Sequence, residues 1–318
     1  MNRNRMNKKR MGRARVLSRA AAGMLAAALC FQPMTALAGP AGDSSLTSSS
    51  SNAGPGGGSG SSNSGSTGSS GGSTSVSNGG VSAVTSGLGV YRVTENEGIG
   101  AIARGVDVSY WQQNVNWSQV ASDNVQFAML ATRFRGNVDP FFAMNAANAS
   151  QAGLRLGAYI YSYATSVEMA QQEADFVLNL IKDYPISFPV VFDAEDANTL
   201  GTLTQSQVSD VINAFCKRIQ DAGYYPMVYA NEYWIANKID MSKISYDIWV
   251  AKYQQKYTYS KTSMWQASNT GSVKGVNGNV DIDYLYKDYT QIIPGNTWRT
   301  IAGNRYYYQN HVMQKSAW

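Results

Sequence analysis

Acidic residues occur in three apolar segments of the chain, at a spacing suited to acid–base chemistry. Asp107 lies in a Gly-Val-Asp-Val-Ser segment, Asp193 and Glu195 lie in Phe-Asp-Ala-Glu, and Asp281 and Asp283 lie in Val-Asp-Ile-Asp. Residues two apart in a strand face the same side, so Asp193 and Glu195 are expected to point into one cavity. Repulsion among carboxyl groups in one cavity raises the pKa of at least one of them, and that carboxyl can then serve as a general acid near neutral pH.

The alternative for any single one of these residues is a structural role, because an Asp at a strand end commonly caps a turn. We expect that role for Asp196, Asp283 and Asp288. The alternative explains the whole set less well, since acids recur in three segments that each follow apolar residues. The sequence therefore predicts a cavity lined by several carboxylates.

Aromatic and amide residues accompany these acids along the chain. Sugars are bound by aromatic platforms and by amide hydrogen bonds, so such a lining favours a glycan as the substrate. Tyr159 and Trp249 are expected to belong to the core instead. The residues predicted to bind substrate are Tyr110, Tyr161, Tyr163, Tyr229, Trp265 and Gln266.

Other kinds of catalytic centre are disfavoured by the composition. His311 is the only histidine and lies in the carboxyl-terminal tail, which excludes a Ser-His-Asp or Cys-His catalyst in the main domain and disfavours a zinc site. Cys216 lies beside the apolar positions of a predicted helix, so we expect a buried structural thiol. No Gly-rich phosphate loop follows a predicted strand. Carboxylates therefore remain as the groups for acid–base work, with no metal predicted.

These residues are distributed over predicted strands and helices that alternate. Strands are predicted at 105–110, 125–132, 155–163, 188–193, 224–230, 246–252, 263–267 and 279–286. Helices are predicted at 117–122, 140–152, 166–183, 204–222 and 232–238. Repeated strand–helix units imply a parallel sheet, and eight strands suggest closure. The predicted fold class is therefore α/β, a TIM-like barrel with missing final helices, whose chemistry lies at the carboxyl-terminal rim and whose closure places Asp107 near Asp281.

The amino-terminal part has a different composition. Residues 1–38 combine eight basic and no acidic residues with a short apolar run and an Ala-Leu-Ala end, a pattern typical of a secretory signal peptide. The net charge of +5 falls to about −3 without it, with 18 basic against 21 acidic residues, so a nucleic-acid partner is not expected. Residues 39–88 are predicted to be a disordered Gly/Ser-rich linker, and residues 89–104 a transitional segment. We expect a secreted protein, extracellular or associated with the cell wall, with no membrane-spanning segment after signal cleavage.

Three segments resemble signature motifs of family 25 glycoside hydrolases, the Chalaropsis-type lysozymes. They are Gly-Val-Asp-Val-Ser-Tyr-Trp-Gln at 105–112, Phe-Asp-Ala-Glu at 192–195 and Gly-Val-Asn-Gly-Asn-Val-Asp at 275–281. The resemblance covers residues 105–289 and implies a (β/α)5β3 barrel that needs no cofactor. It also implies cleavage of the β-1,4 bond between N-acetylmuramic acid and N-acetylglucosamine in bacterial peptidoglycan. The family's catalytic acid falls on Glu195, and its other active-site carboxylates fall on Asp107, Asp193 and Asp281.

Two alternative functions stay open, a different N-acetylhexosaminide hydrolase on the same barrel and a non-catalytic wall-binding protein. The sequence also leaves open whether the route uses a covalent nucleophile, the substrate's own acetamido group or inversion. Residues 290–318, with Trp298 and three consecutive tyrosines, resemble a single aromatic cell-wall-binding repeat. Because such repeats form ligand pockets between neighbours, packing of this tail on the barrel is as much expected as weak wall binding, with His311 on the surface of a hairpin turn.

Overall fold

A computed structural model of the chain describes residues 75–78 and 81–315, and eight of its strands close into a barrel. In chain order these strands are β1 (Ala103–Val108), β2 (Phe127–Ala131), β3 (Arg155–Tyr161), β4 (Ile186–Asp193), β5 (Pro226–Asn231), β6 (Asp247–Ala251), β7 (Thr262–Gly271) and β8 (Val280–Leu285). Each of them overlaps one of the predicted strands. The predicted fold class, a TIM-like α/β barrel, is therefore confirmed.

The direction of the last strand differs from the prediction. Strands β1 to β7 run parallel around the barrel, whereas β8 is antiparallel to both β7 and β1. A loop without a helix joins β7 to β8. This loop turns the chain back at the rim where β7 ends, so β8 runs the opposite way, whereas the loop between β6 and β7, which also lacks a helix, carries the chain back across the barrel. The start of β8 therefore lies at the rim where the other strands end.

Five helices follow the first five strands, as predicted. They are α1 (Trp117–Ser122), α2 (Phe142–Gln151), α3 (Val167–Ile181), α4 (Gln205–Asp221) and α5 (Glu232–Asn237). Thr204 begins α4 by accepting a hydrogen bond from the Gln207 backbone N–H, and Gly223 follows the helix with a φ of 91° that favours glycine. None of the helices in the described residues is long and apolar enough to cross a membrane.

The interior of the barrel is apolar at one end and acidic at the other. The apolar end is a buried cluster that includes Phe127, Met129, Phe188, Met264 and Leu285. A second buried cluster lies outside the strands and packs them against the helices, with Cys216 fully buried in it as expected. The outer cluster holds the rim in place, so the acidic end of the interior is built on a rigid scaffold.

Part of the segment predicted to be a linker is ordered, which corrects the predicted boundary at residue 88. Ser75–Asn78, Val81–Ser86 and Gly89–Val93 form a three-stranded antiparallel sheet. Apolar residues return in this stretch, and Tyr91 is 1% exposed. Burial of such side chains offsets the entropy of ordering the chain, which the Gly/Ser-rich composition alone could not do. The predicted signal peptide and residues 39–74 lie outside the described residues.

The tail forms a small antiparallel sheet that packs on the barrel. Its strands are Thr297–Ile301, Asn304–Gln309 and Val312–Met313. The Met313 backbone N–H donates to the Gly223 carbonyl at 2.9 Å, beside the end of α4. His311 lies in the last hairpin turn, as predicted, but it is half-buried rather than on the surface, with its Nδ1 3.2 Å from the Ile293 carbonyl oxygen. Of the two roles expected for the tail, packing on the barrel is the one observed.

Candidate active site

Carboxylates from three distant segments meet at one rim of the barrel. Asp107 in β1 and Asp281 in β8 are paired neighbours in the sheet, and Asp193 is the last residue of β4. Glu195 follows two residues later, beyond the end of the strand. The charge of Asp281 acts on both Asp107 and Glu195, which places all of them around one cavity. The structure thus brings together the four residues predicted to be catalytic, while their roles stay a prediction.

The acids are deeply buried and have no compensating cation. Asp107 and Asp193 are each 5% exposed, and Asp283 is completely buried. None of the ion pairs found among the described residues includes an acid of this cavity. Burial, followed by the charges of Asp281 and Asp283, raises the pKa of Asp107 well above its ordinary value. Protons are therefore retained in this cavity to pH values at which exposed carboxyl groups have lost theirs.

Glu195 has the properties of a general acid. Burial raises its pKa to about 7, with further contributions from the charges of Asp281 and Asp196. Burial also raises the pKa of Asp281, to about 6. A carboxyl with a pKa near the working pH can both hold a proton and give it up, which is what proton donation to a leaving group requires.

Gln266 positions Asp107 through a buried hydrogen-bond network. Its Nε2 donates to Asp107 Oδ2 at 2.7 Å, and its Oε1 accepts hydrogen bonds from the hydroxyls of Tyr229 and Tyr253, each at 2.8 Å. The Asp107 oxygen fixes which end of the amide faces it, because a carboxylate oxygen accepts only from the amide nitrogen, and the two tyrosine hydroxyls then donate to the amide oxygen. Gln266 and Tyr229 were predicted to bind substrate, but their side-chain groups are committed to one another and to Asp107.

The expected turn-capping role of Asp283 is wrong. Asp283 lies within β8, paired in register with Gly105 of β1, and its side chain is inside the barrel. Trp249 Nε1 donates to its Oδ1 at 2.9 Å. The turn-capping role was expected because Asp283 was placed near a strand end, but Asp283 shares the inward face of β8 with Asp281 because the two are two residues apart. Asp283 is thus a further acid of the cavity.

The same expectation holds for Asp196 and Asp288. Asp196 Oδ1 accepts hydrogen bonds from the backbone of Asn198 and from both the backbone and the hydroxyl of Thr199. Asp288 Oδ1 accepts in the same way from the backbone and hydroxyl of Thr290. Both are turn-capping residues. Asp196 lies next to Glu195 at the rim, whereas Asp288 lies in a turn after β8.

Three of the predicted aromatic residues stay at the rim. Tyr161 donates from its hydroxyl to Asp196 Oδ2 at 3.1 Å, and its ring lies 5.1 Å from the ring of Tyr163. Tyr110 stacks on Phe134 with ring centroids 4.0 Å apart, and the 67% exposed Trp111 lies edge-on to both rings. These half-buried and exposed rings form aromatic faces next to the carboxylates, as sugar recognition requires.

Trp265 does not line the cavity, which corrects its predicted role in substrate binding. It is 1% exposed and lies in the cluster outside the strands, where its Nε1 donates to the Lys252 carbonyl at 2.8 Å. Neighbouring residues of a strand face opposite sides. Since Gln266 points inward to Asp107, Trp265 must point outward, so the adjacent pair could not both bind the substrate.

Tyr253 and Arg133 are residues of this region that the sequence pattern did not reveal. Tyr253 follows β6 in a loop, where no periodicity predicts its contact with Gln266. The Arg133 guanidinium lies 4.7 Å from the centroid of the Tyr163 ring and pairs with Glu173 at 2.7 Å. Glu173 is buried and the Arg133 side chain is 11% exposed, which is a signal that only three-dimensional contacts provide. Among the described residues, no group of three or more His, Cys, Asp or Glu side chains is arranged to hold a metal ion.

Comparison with known proteins agrees with this geometry. Residues 106–276, more than half of the chain, match the family model described as "Glycosyl hydrolases family 25". The chain is 31% identical over 189 residues to "Uncharacterized protein YegX" of Escherichia coli (strain K12), an alignment covering 56% of this chain and 68% of that protein. It is 30% identical over 195 residues to "Lysozyme M1" of Streptomyces globisporus, covering 56% of this chain and 66% of that protein.

Solved structures show the same fold. A family 25 glycosyl hydrolase from Bacillus anthracis has a TM-score of 0.52 at 22% identity, covering 60% of this chain and 92% of that one. The modular autolysin LytC from Streptococcus pneumoniae has a TM-score of 0.55 at 22% identity, covering 67% of this chain and 58% of that one. At these identities the likeness concerns the barrel itself.

Proposed function

Since this chain belongs to glycosyl hydrolase family 25 and is a glycoside hydrolase of the lysozyme type, we propose that it hydrolyses the β-1,4 bond between N-acetylmuramic acid and N-acetylglucosamine, with Glu195 as the general acid. The glycan strands of bacterial peptidoglycan are the proposed substrate. No metal or cofactor enters the proposal.

The observation that carries the proposal is the contrast between Glu195 and its neighbours. Glu195 stands at the edge of the cavity, half-buried, with a pKa raised to about 7, whereas Asp107 and Asp193 lie deeper in the barrel. A group that must reach the glycosidic oxygen has to lie where the substrate enters. Its proton must also be available near neutral pH, so Glu195 fits both requirements.

The reaction follows from this arrangement. The Glu195 carboxyl donates its proton to the glycosidic oxygen as the bond from the sugar's anomeric carbon breaks. Asp193 or Asp281 stabilises the positive charge that develops on the sugar, directly or through the substrate's 2-acetamido group. A water molecule then adds its oxygen to the anomeric carbon and gives up a proton to the carboxylates of the site, which restores the protonated acid and completes the hydrolysis. Of these two carboxyl groups Asp281 is partly exposed at the rim, whereas Asp193 is 5% exposed.

Replacement of Glu195 by Gln tests the assignment of the acid. Glu195→Gln keeps the shape and removes the proton, so kcat on purified peptidoglycan should fall by at least about 100-fold, as expected for loss of general acid catalysis. Glu97→Gln is a matched control, because Glu97 is exposed in the turn before the barrel. Wild-type clearance by Glu195→Gln would show that another group is the acid.

Mass spectrometry of the digest tests the bond. Muramic acid at the new reducing end supports the muramidase, whereas glucosamine at that end would indicate a different N-acetylhexosaminide hydrolase. A non-catalytic wall-binding protein would bind sacculi and release no reducing ends. The complete set of carboxylates supports an active enzyme over that third possibility.

We propose further that the protein is secreted, on the basis of the basic and apolar pattern of residues 1–38. The Ala-Leu-Ala end predicts cleavage after Ala38. Amino-terminal sequencing of the exported protein would then begin at Gly39. Retention of the basic segment in the exported protein would contradict the proposal.

A further inference from the structure

Asp283 is the most deeply buried acid of the barrel. It lies on β8 opposite Gly105, a position where an added Cβ would come within 2.3 Å of the Phe127 ring. On its other side β8 pairs with β7, where Gln266 is its partner in register. Because Gly105 has no side chain, none on β1 lies directly opposite Asp283. The next inward-facing side chain on β1 is that of Asp107.

The carboxyl groups of Asp283 and Asp107 include one buried oxygen that has no hydrogen-bond donor in the part of the chain that the structure describes. Asp283 Oδ1 accepts from Trp249, and Asp107 Oδ2 accepts from Gln266. Asp283 Oδ2 is buried and has no donor among the described residues, and the neighbouring inward carboxyl on β1, two residues beyond Gly105, is that of Asp107. Two ionised carboxylates cannot satisfy one another, because each can only accept. A single proton between them supplies the missing donor.

We propose that Asp283 and Asp107 share one proton as a carboxylic acid–carboxylate pair inside the barrel, and that Asp283 is a positioning residue for Asp107. Asp283 does not contact the substrate, because it is completely buried beneath the rim. The shared proton removes one negative charge from the cavity, and the hydrogen bond fixes the Asp107 carboxyl from below while Gln266 fixes it from the side.

The surroundings of the pair favour retention of that proton. The charged or titratable groups that face the pair are Asp281 on β8, Asp193 on β4, and the hydroxyls of Tyr159 on β3, Tyr229 on β5 and Tyr253 after β6. None of these is a cation. Burial, followed by the charge of Asp281, raises the pKa of Asp283 well above its ordinary value. Like charges held close in an apolar interior cannot both ionise, so one proton stays with the pair.

Two variants separate the proton from the shape of the side chain. Asp283→Asn is isosteric, and its amide can donate to Asp107 while its oxygen still accepts from Trp249. Asp283→Leu has a similar size and can do neither. We expect kcat to fall at least about tenfold further in Asp283→Leu than in Asp283→Asn, with little difference in KM, because the lost hydrogen bond involves a charged partner. Equal kcat values for the two variants would overturn the positioning role.

A thermal unfolding series tests the shared proton without any substrate, so its result is independent of the proposed function. The unfolded chain loses both protons near the ordinary pKa of Asp, whereas the folded wild-type protein keeps one. Stability of the wild type therefore falls as pH rises above about 4, and Asp283→Asn escapes this loss. The Tm of Asp283→Asn minus that of the wild type should increase from about pH 4 to about pH 7.

The controls keep the series decisive. Asp288→Asn removes one carboxylate from a turn outside the barrel interior and reports the effect of charge loss alone. In the wild type, the infrared carbonyl band of a protonated carboxyl should persist at neutral pH, remain in Glu195→Gln, and weaken in Asp283→Asn. A Tm difference that does not change with pH, or a band unaffected by Asp283→Asn, would overturn the shared proton.

Discussion

The pKa of Glu195 can be changed without altering any residue placed in contact with the substrate. Asp196 is adjacent to Glu195, and its charge is one of the causes that raise the pKa of Glu195. Asp196→Asn removes that charge and keeps the turn, because the amide oxygen can accept the same hydrogen bonds from Asn198 and Thr199 that Asp196 Oδ1 accepts. The Tyr161 hydroxyl can then accept from the amide where it donated to the carboxylate.

The size of the effect has an upper limit. The pKa of Glu195 rises from 4.5 to about 7, with three causes in decreasing order: burial, Asp281 and Asp196. The smallest of three contributions to a rise of about 2.5 units is at most about 0.8 of a unit. Glu195 acts in its protonated form, so activity is lost as pH rises through its pKa. Asp196→Asn should therefore shift this alkaline limb to lower pH by no more than about 0.8 of a unit.

The assay is the pH profile of kcat/KM on purified peptidoglycan. With the full shift, the protonated fraction of Glu195 at pH 7 falls from about one half to about one seventh, so kcat/KM falls about 3.5-fold there. At about pH 5 the variant and the wild type should differ little, because both keep Glu195 protonated. Asp288→Asn is the matched control, since it removes the same charge from a turn of the same kind at a distance from Glu195.

The reasoning fails in two ways that the profile distinguishes. An alkaline limb that moves to higher pH would mean that the titrating group is not a carboxyl raised by nearby negative charge. The alkaline limb of the kcat/KM profile could also stay in place in Asp196→Asn and move in Asp288→Asn. That result would show that the charge raising the pKa of the acid does not come from the loop after β4.

Two further predictions concern residues around the cavity. Trp265→Ala should lower the free energy of unfolding by about 3–5 kcal/mol with little change in KM, because Trp265 is buried on the outer face of the strands. Trp111→Ala should instead raise KM with little loss of stability, because Trp111 is 67% exposed at the rim. Chemical denaturation and steady-state kinetics check the two variants. Arg133→Leu should destabilise the protein by about 3–5 kcal/mol because it leaves Glu173 buried without its partner, and adding Glu173→Leu should recover part of that loss, as denaturation of the double variant would show.

The sequence predicts the elements well because their signals are local. The predicted helix at 204–222 needs only the capping residue Thr204, the apolar spacing and Gly223, and the structure places α4 at Gln205–Asp221. The convergence of the acids follows from barrel closure, a rule that relates the first strand to the last. Positions that depend on these rules alone were therefore predictable to within a few residues.

The errors arise where the outcome depends on contacts between distant residues. Trp265 and Gln266 are both suited to sugar binding, and only the register of β7 against β6 and β8 decides which one faces inward. Asp283 has the same local surroundings as a turn residue, and its burial depends on the direction of β8 and on Gly105 across the strand pair. The ordered stretch before the barrel needed knowledge of what Tyr91 packs against, which composition does not contain.

The reversal of β8 determines how the carboxylates are distributed in depth. In β4, the Asp-x-Glu spacing runs outward, so Asp193 ends the strand and Glu195 lies beyond it. In β8, the Asp-x-Asp spacing runs inward from the rim, so Asp281 comes first and Asp283 lies deeper, opposite Gly105. The same two-residue spacing therefore places acids at three depths of one cavity. Glu195 is outermost, Asp193 and Asp281 lie in the middle, and Asp283 is deepest. A charge costs most at the deep level, which favours the proposed shared proton there, while at the outer level the pKa of about 7 suits Glu195 to the proposed role of giving up its proton and regaining it in each cycle.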